Sequence, residues 1–297
     1  MKKNLITIIS SNSEPLAPIS TKIIKKIDTP VFIKSIIFDI YGTLLISASG
    51  EVGTVKGIAK SEIFINSLKK SGIKICDNLS GDIGIKYFFN RIKQLHQISN
   101  NNKIKHPEIV ITEIWEQTLK MLLKEKLIKT EISTKIIFKT AIYFEMFTNP
   151  VWPMPNLLKV LDILNEKNIL LGIVSNAQFY TPLIFNALLN KSLKELGFSP
   201  ELIEYSYLNM EAKPSQKMFN SVLSNLKKYY NVNPSETLYI GNDMLNDIYS
   251  AQITGFKTAL FAGDMRSLKL RKNIPEIAGI NPDFIITDLM QIPKLIK

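Results

Sequence analysis

The chain has 297 residues, 45% of them hydrophobic, with one cysteine and a net charge of +11. That length can bury a substantial core without staples, and the single Cys76 excludes a disulfide framework within the chain. No apolar run reaches the ~20 residues of a membrane-spanning helix, which argues against a membrane protein.

The N-terminal stretch MKKNLITIISSNSEP is shorter and more polar in its apolar part than a signal peptide, so a cytoplasmic protein is expected. The lysines behind the positive charge are scattered among Ile and Asn and form no basic stripe. With no nucleic-acid-binding motif beside them, they read as a general composition bias, so nucleic acid is not the expected partner, and a small anionic substrate is expected instead. Oligomeric state is not encoded in any of these features.

Residues 1–29 show no clean period and are expected to be a weakly structured leader. VFIKSIIFD, residues 31–39, is rich in β-branched residues and predicts a buried strand ending at Asp39. From 49 to 149 the texture changes. SEIFINSLKKSG, DIGIKYFFNRIKQLHQIS, PEIVITEIWEQTLKMLLKEK and STKIIFKTAIYFEMF space their apolar residues by three and four, predicting an all-helical segment. PVWPMP at 150–155 punctuates the chain, and helices and strands then alternate to the end. NLLKVLDILNEKN, QFYTPLIFNALL, SLKELGF, PSQKMFNSVLSNLKKYY and MLNDIYSAQITG read as helices. ILLGIVSN, LIEYSYL, ETLYIGND, FKTALFAG and the start of PDFIITDLM read as strands.

Repeated β-α-β units predict an α/β fold, a doubly wound parallel sheet over 30–48 and 150–297 with a helical domain inserted at 49–149. In such a sheet, ligands bind beyond the carboxyl ends of the strands. The residues there are Asp39, Ser175–Asn176 and Asn242–Asp243, with Asp247 one helical turn on. Singly, each is ordinary cap or turn chemistry. Together they supply a carboxylate nucleophile, a hydroxyl to hold the attacked group, and acids suited to Mg²⁺.

Four motifs in order make the chain resemble the haloacid dehalogenase-like hydrolases. They are FDIYGTL with Asp39 and Thr43, GIVSNA with Ser175, EAKPSQKMF with Lys213, and IGNDMLND with Asp243 and Asp247. The resemblance implies a Rossmann-like core with a helical cap. Asp39 would form an aspartyl intermediate, Thr43, Ser175 and Asn176 would line the transferring group, and Lys213 would offset negative charge. It also implies a Mg²⁺ site from Asp39, the Tyr41 carbonyl, Asp243, Asp247 and Asn242.

Tyr41 departs from the phosphatase pattern, which has a second Asp there to protonate the leaving oxygen. A phenol is a poor base at neutral pH, and the family's 2-haloacid dehalogenases carry Tyr-Gly-Thr at this point. Those enzymes also tend to have an arginine about thirty residues after the nucleophile and a tyrosine six after the lysine. Here no arginine lies between Asp39 and Arg91, and Phe219 stands at the second position. With two acids kept in the last motif, the expectation is a Mg²⁺-dependent phosphatase acting on a small phosphorylated metabolite. The alternatives are a C–halogen hydrolase and a catalytically weak binding protein of the same fold. Arg91, His96, His106, Trp115 and Tyr143 are candidates for setting specificity from the cap.

Overall fold

A computed structural model of the chain describes residues 1–27, 29–49, 59–101 and 103–297. In chain order the first elements are α1 (Lys2–Ser11), β1 (Ser35–Phe38) and β2 (Leu45–Ser47). The insert holds α2 (Ala59–Ser71), α3 (Gly81–Asn101), α4 (Ile111–Lys124) and α5 (Thr134–Thr148). The chain returns through β3 (Val151–Pro153), α6 (Leu157–Glu166), β4 (Leu170–Ser175), α7 (Thr181–Leu189), β5 (Phe198–Tyr205), α8 (Ser206–Asn209) and α9 (Lys217–Tyr230). It ends with β6 (Thr237–Gly241), α10 (Ser250–Ile253), β7 (Lys257–Phe261) and β8 (Phe284–Ile286).

Six strands form one parallel sheet in the order β5-β4-β1-β6-β7-β8. β1 lies at the centre because the chain runs outward to β4 and β5 on one side, then crosses to β6, β7 and β8 on the other. The crevice at a strand-order reversal therefore falls at the carboxyl end of β1. β1 is buried on both faces, as a central parallel strand must be. Its alternation sorts Ile36 and Phe38 into a cluster with Leu171, Ile173, Leu238 and Ile240. Ile37 joins Val174, Phe219, Val222 and Tyr239 on the other face.

The insert has its own apolar centre. The Trp115 ring lies 4.7 Å from Phe88, 5.2 Å from Phe144 and 5.4 Å from Phe64. α5 starts where the Ser133 hydroxyl accepts the Ile136 amide. The expected start of the insert falls largely on 50–58, outside the described residues.

Four local differences from the sequence pattern have physical reasons. The first ten residues after Met1 form a helix, because Leu5, Ile8 and Ile9 share one face and pack into the main core. SLKELGF is a turn: Gly197 at φ 92° delivers the chain directly into β5. MLNDIYSAQITG splits into a π-helical turn, Met244–Tyr249, followed by α10. β2 pairs antiparallel with β3 across the ends of the insert, a contact between segments about 100 residues apart that no local pattern announces.

Candidate active site

Asp39 follows β1, and its amide donates to Ile240 at 2.9 Å, so the central ladder itself holds the residue at the crevice. Its Oδ1 accepts from Ser175 Oγ at 2.9 Å and Lys213 Nζ at 2.7 Å. The bonds described to this carboxylate all fall on Oδ1. Ser175 ends β4, the strand beside β1, so its position follows from register.

Lys213 is buried and held at both ends. Its amide donates to Asn176 Oδ1 at 2.7 Å. Its Nζ reaches Asp39, Asp247 Oδ1 at 2.6 Å, the Tyr239 hydroxyl at 3.1 Å and the Val174 carbonyl at 3.2 Å. Burial alone would lower its pKa, but Asp247 and Asp39 outweigh burial and raise it. The ammonium is thus kept charged. Burial, opposed by Lys213 and reinforced by Asp39 and Asp243, lifts Asp247 to about 6.

Tyr41 places its hydroxyl 2.8 Å from Thr181 Oγ1. Burial first, then the charge of Glu145, push its pKa well above 10, so it holds its proton at neutral pH. Thr43, read from the resemblance as a contact for the transferring group, is fully buried. It donates to Asn242 Oδ1 at 3.0 Å, and Asn242 Nδ2 donates to the Ser267 carbonyl at 2.6 Å. A buried hydroxyl takes the acceptor within reach, and here that ties the first motif to the last. Gly42 allows this approach: at φ 88°, a Cβ on it would lie 2.4 Å from Ser267 Cβ and 2.8 Å from Asn242 Nδ2. Gly42→Ala is expected to cost about 2 kcal/mol or more in thermal denaturation, from the left-handed backbone and the clash together. Turnover should fall with it as the Asp39 turn shifts.

The last-motif acids are already engaged. Asp247 Oδ1 holds Lys213 and Tyr239, and Oδ2 accepts the Asp243 amide at 2.9 Å. Asp243 Oδ1 accepts the Leu245 and Asn246 amides as a helix cap, and Oδ2 accepts Arg271 Nη2 at 2.7 Å and Nε at 3.1 Å. Magnesium needs near-octahedral oxygen ligands with lone pairs to spare. In the last motif, Asp243 has both oxygens filled, the Asn242 oxygen accepts from Thr43, and Asp247 faces the buried Lys213 ammonium, so as arranged that motif does not fit the ion. Among the described residues, no three carboxylate, imidazole or thiolate groups converge as a metal cage either.

A cavity of about 650 Å³ lies over this floor, with Asp39, Lys213, Asp243, Lys269 and Arg271 on one wall. Phe88, Phe89, Ile92, Trp115 and Phe144 of the insert also line the cavity. Of the five cap candidates, His96 and Trp115 border it; Arg91, His106 and Tyr143 are not among its lining residues.

Sequence reasoning missed three residues here. Tyr239 projects from β6 to the Lys213 ammonium, while Phe219, at the position where dehalogenases tend to have tyrosine, packs 5.1 Å from the Tyr239 ring. Arg271 follows β7, and the strand-end rule would have pointed to its neighbourhood. Glu145, buried on α5, accepts from Tyr180 at 2.8 Å and Asn149 at 3.1 Å; it had no motif to mark it.

A family model for haloacid dehalogenase-like hydrolases matches residues 33–255. The chain belongs to that family. None of the curated proteins compared matches it. Among solved structures it is similar to a 2-haloacid dehalogenase from Pseudomonas syringae pv. Tomato DC3000, at 20% identity and a TM-score of 0.53, covering 89% of this chain and 97% of that one. It is also similar to a HAD phosphatase from Thermococcus onnurineus, at 16% identity and a TM-score of 0.51, covering 89% and 97%. At these identities the likeness establishes the fold. The haloacid dehalogenase-like chain is thus a hydrolase by family, within a group that contains both phosphatases and dehalogenases. Magnesium dependence is general there, but the dehalogenases need no metal.

Glu145 also makes a test of its own. Burial, partly offset by the bonds from Tyr180 and Asn149, raises its pKa from 4.5 to about 6. The folded state therefore binds this proton more tightly than the unfolded chain. The resulting stabilisation is complete below the unfolded value and is lost as pH rises through 6. Between pH 7 and pH 5 the residue should add about 1 kcal/mol to folding stability. Urea unfolding at the two pH values should show the wild type gaining about 1 kcal/mol more than Glu145→Gln on acidification.

Proposed function

We propose that this protein hydrolyses a small anionic substrate through a covalent aspartyl intermediate on Asp39, an acyl phosphate or an ester according to the atom attacked, and that the leaving group departs without a proton from residue 41. The observation that carries the reading is the pairing of Asp39 with Ser175 and Lys213 on one oxygen, while among the described residues no hydrogen bond falls on the other. Oδ2 attacks the electrophilic atom and forms the new bond, and the leaving group takes the electron pair of the old one. Water then cleaves this aspartyl intermediate: its oxygen bonds to the transferred group, one proton passes to solvent, and the carboxylate is restored. Lys213 holds the carboxylate in place and offsets negative charge as the group arrives, and Asn176 fixes the Lys213 backbone.

The Tyr41 hydroxyl is bound to Thr181 and keeps its proton, so it is a weak acid and no base. The leaving group must then be stable as an anion: an acidic alcohol or phenol of a phosphoric monoester, or a halide. The phosphoric ester comes first, because Lys213, Lys269 and Arg271 border one cavity and suit a phosphoryl group. The C–halogen reading is supported by Tyr239 and Arg271, which bring to the site a tyrosine and an arginine that the sequence lacks at the usual dehalogenase spacings.

One assay separates the two. An aryl phosphate and a 2-haloacid are offered to the enzyme, and phosphate and halide release are measured with and without chelator. Phosphate release from the aryl ester, faster than from an alkyl ester, is the expected result. Halide release alone would transfer the reaction to carbon, and release of neither across a broad panel would overturn the hydrolytic role of Asp39.

A further inference from the structure

We propose that Arg271 is the resident cation of this site, neutralising Asp243 where relatives place a divalent ion, so that the protein works without added metal. The inference rests on the reading of Asp39 as the nucleophile, but its central claim concerns ion binding and can be tested apart from turnover.

The contact is two-pronged, with Arg271 Nη2 and Nε at 2.7 and 3.1 Å from Asp243 Oδ2 and Nε at 3.3 Å from Oδ1. A guanidinium stays charged at any working pH and matches a carboxylate in shape. The Asp243 side chain is 9% exposed and that of Arg271 31%, so the pair sits at the cavity wall and is screened less than a surface pair.

The backbone sets the arginine in place. The Lys269 amide donates to the Asn242 carbonyl at 3.0 Å, and the Met244 amide donates to the Lys269 carbonyl at 2.9 Å. These two bonds stitch the 269–271 segment alongside the last motif as a parallel bridge between Asp243 and Lys269. Arg271 itself sits at φ 50°, in the left-handed region that a long side chain seldom adopts. Such a conformation persists where the surroundings enforce it, and it clusters at functional sites.

Asp243 meanwhile has its remaining oxygen capacity filled by two helix amides, and Asp247 is engaged by Lys213, Tyr239 and an amide. A divalent ion would have to displace Arg271 before it could use Asp243. Removing the arginine should therefore create metal affinity where there is little now.

The test is titration calorimetry of Mg²⁺ into chelator-treated wild type, Arg271→Ala and Arg271→Lys, with melting curves to confirm that each is folded. The expected result is weak binding to wild type and at least about tenfold tighter binding to Arg271→Ala. Arg271→Lys, which keeps a cation, should resemble wild type. Hydrolysis by wild type should survive the chelator. Mg²⁺ binding to wild type as tight as to Arg271→Ala would overturn the proposal, as would loss of wild-type turnover on chelation. A wild type inactive under every condition would count against the Asp39 reading, and the calorimetric comparison would still decide whether Arg271 holds the cation position.

Discussion

Asp39→Asn is expected to remove turnover by about 10⁴-fold or more while leaving the protein folded. The amide keeps the size of the carboxylate and can still accept from Ser175 and Lys213, so the crevice should keep its shape. Lys213 retains Asp247 as a partner at 2.6 Å, so no buried ammonium is stranded. What the variant loses is the attacking oxygen's charge, and with it the aspartyl intermediate. Denatured wild type quenched during turnover should carry a mass adduct on the peptide containing Asp39, and the variant should carry none. Substrate affinity should hold or rise, since one negative charge leaves an anion-binding floor. Turnover within tenfold of wild type would sink the nucleophile assignment.

Lys213→Met should produce the largest loss of stability of any single change at the site. The ammonium lies between Asp39 and Asp247, with side-chain exposures of 3% for Lys213 and 1% for Asp247. Removing one partner of a buried ion pair leaves an uncompensated charge and costs about 3–5 kcal/mol. For a chain of this size that is a fall in Tm on the order of 10 °C. The residual carboxylates would respond by binding protons, so the variant's deficit should shrink as pH drops. Adding Asp247→Asn to Lys213→Met should recover part of the loss, because the second change removes the stranded charge. A double-mutant cycle measures that coupling; simple additivity would mean that the trio acts as separate contacts. Turnover should also fall in both variants, since Asp39 loses its cation.

Much of the fold was legible because strand and helix periods are local. VFIKSIIFD reads as a buried strand, and ILLGIVSN and ETLYIGND do the same around it. The α/β alternation then requires a parallel sheet with these three strand ends at one edge, and Asp39, Ser175 and Asp243 lie there. α1 escapes a sequence reading because its apolar face is three residues wide and becomes visible only against the core it packs on. SLKELGF misleads for the opposite reason: its spacing is helical, but the glycine near its end turns the chain into β5.

The sequence by itself determined the sheet, the order of the four motifs, the place of Asp39 at the end of the central strand and the absence of an acid at Tyr41, all properties of residue type at local spacing. Only the tertiary structure decided how the charges are shared. Lys213 bridges Asp39 and Asp247, Thr43 turns to Asn242, Tyr239 arrives from the next strand, and Arg271 closes on Asp243. These are contacts between residues 8 to 199 positions apart in the chain. Their partners are chosen by burial: a charge or hydroxyl shut away from water must find a counterpart nearby in space, and spacing along the chain does not say which one that is.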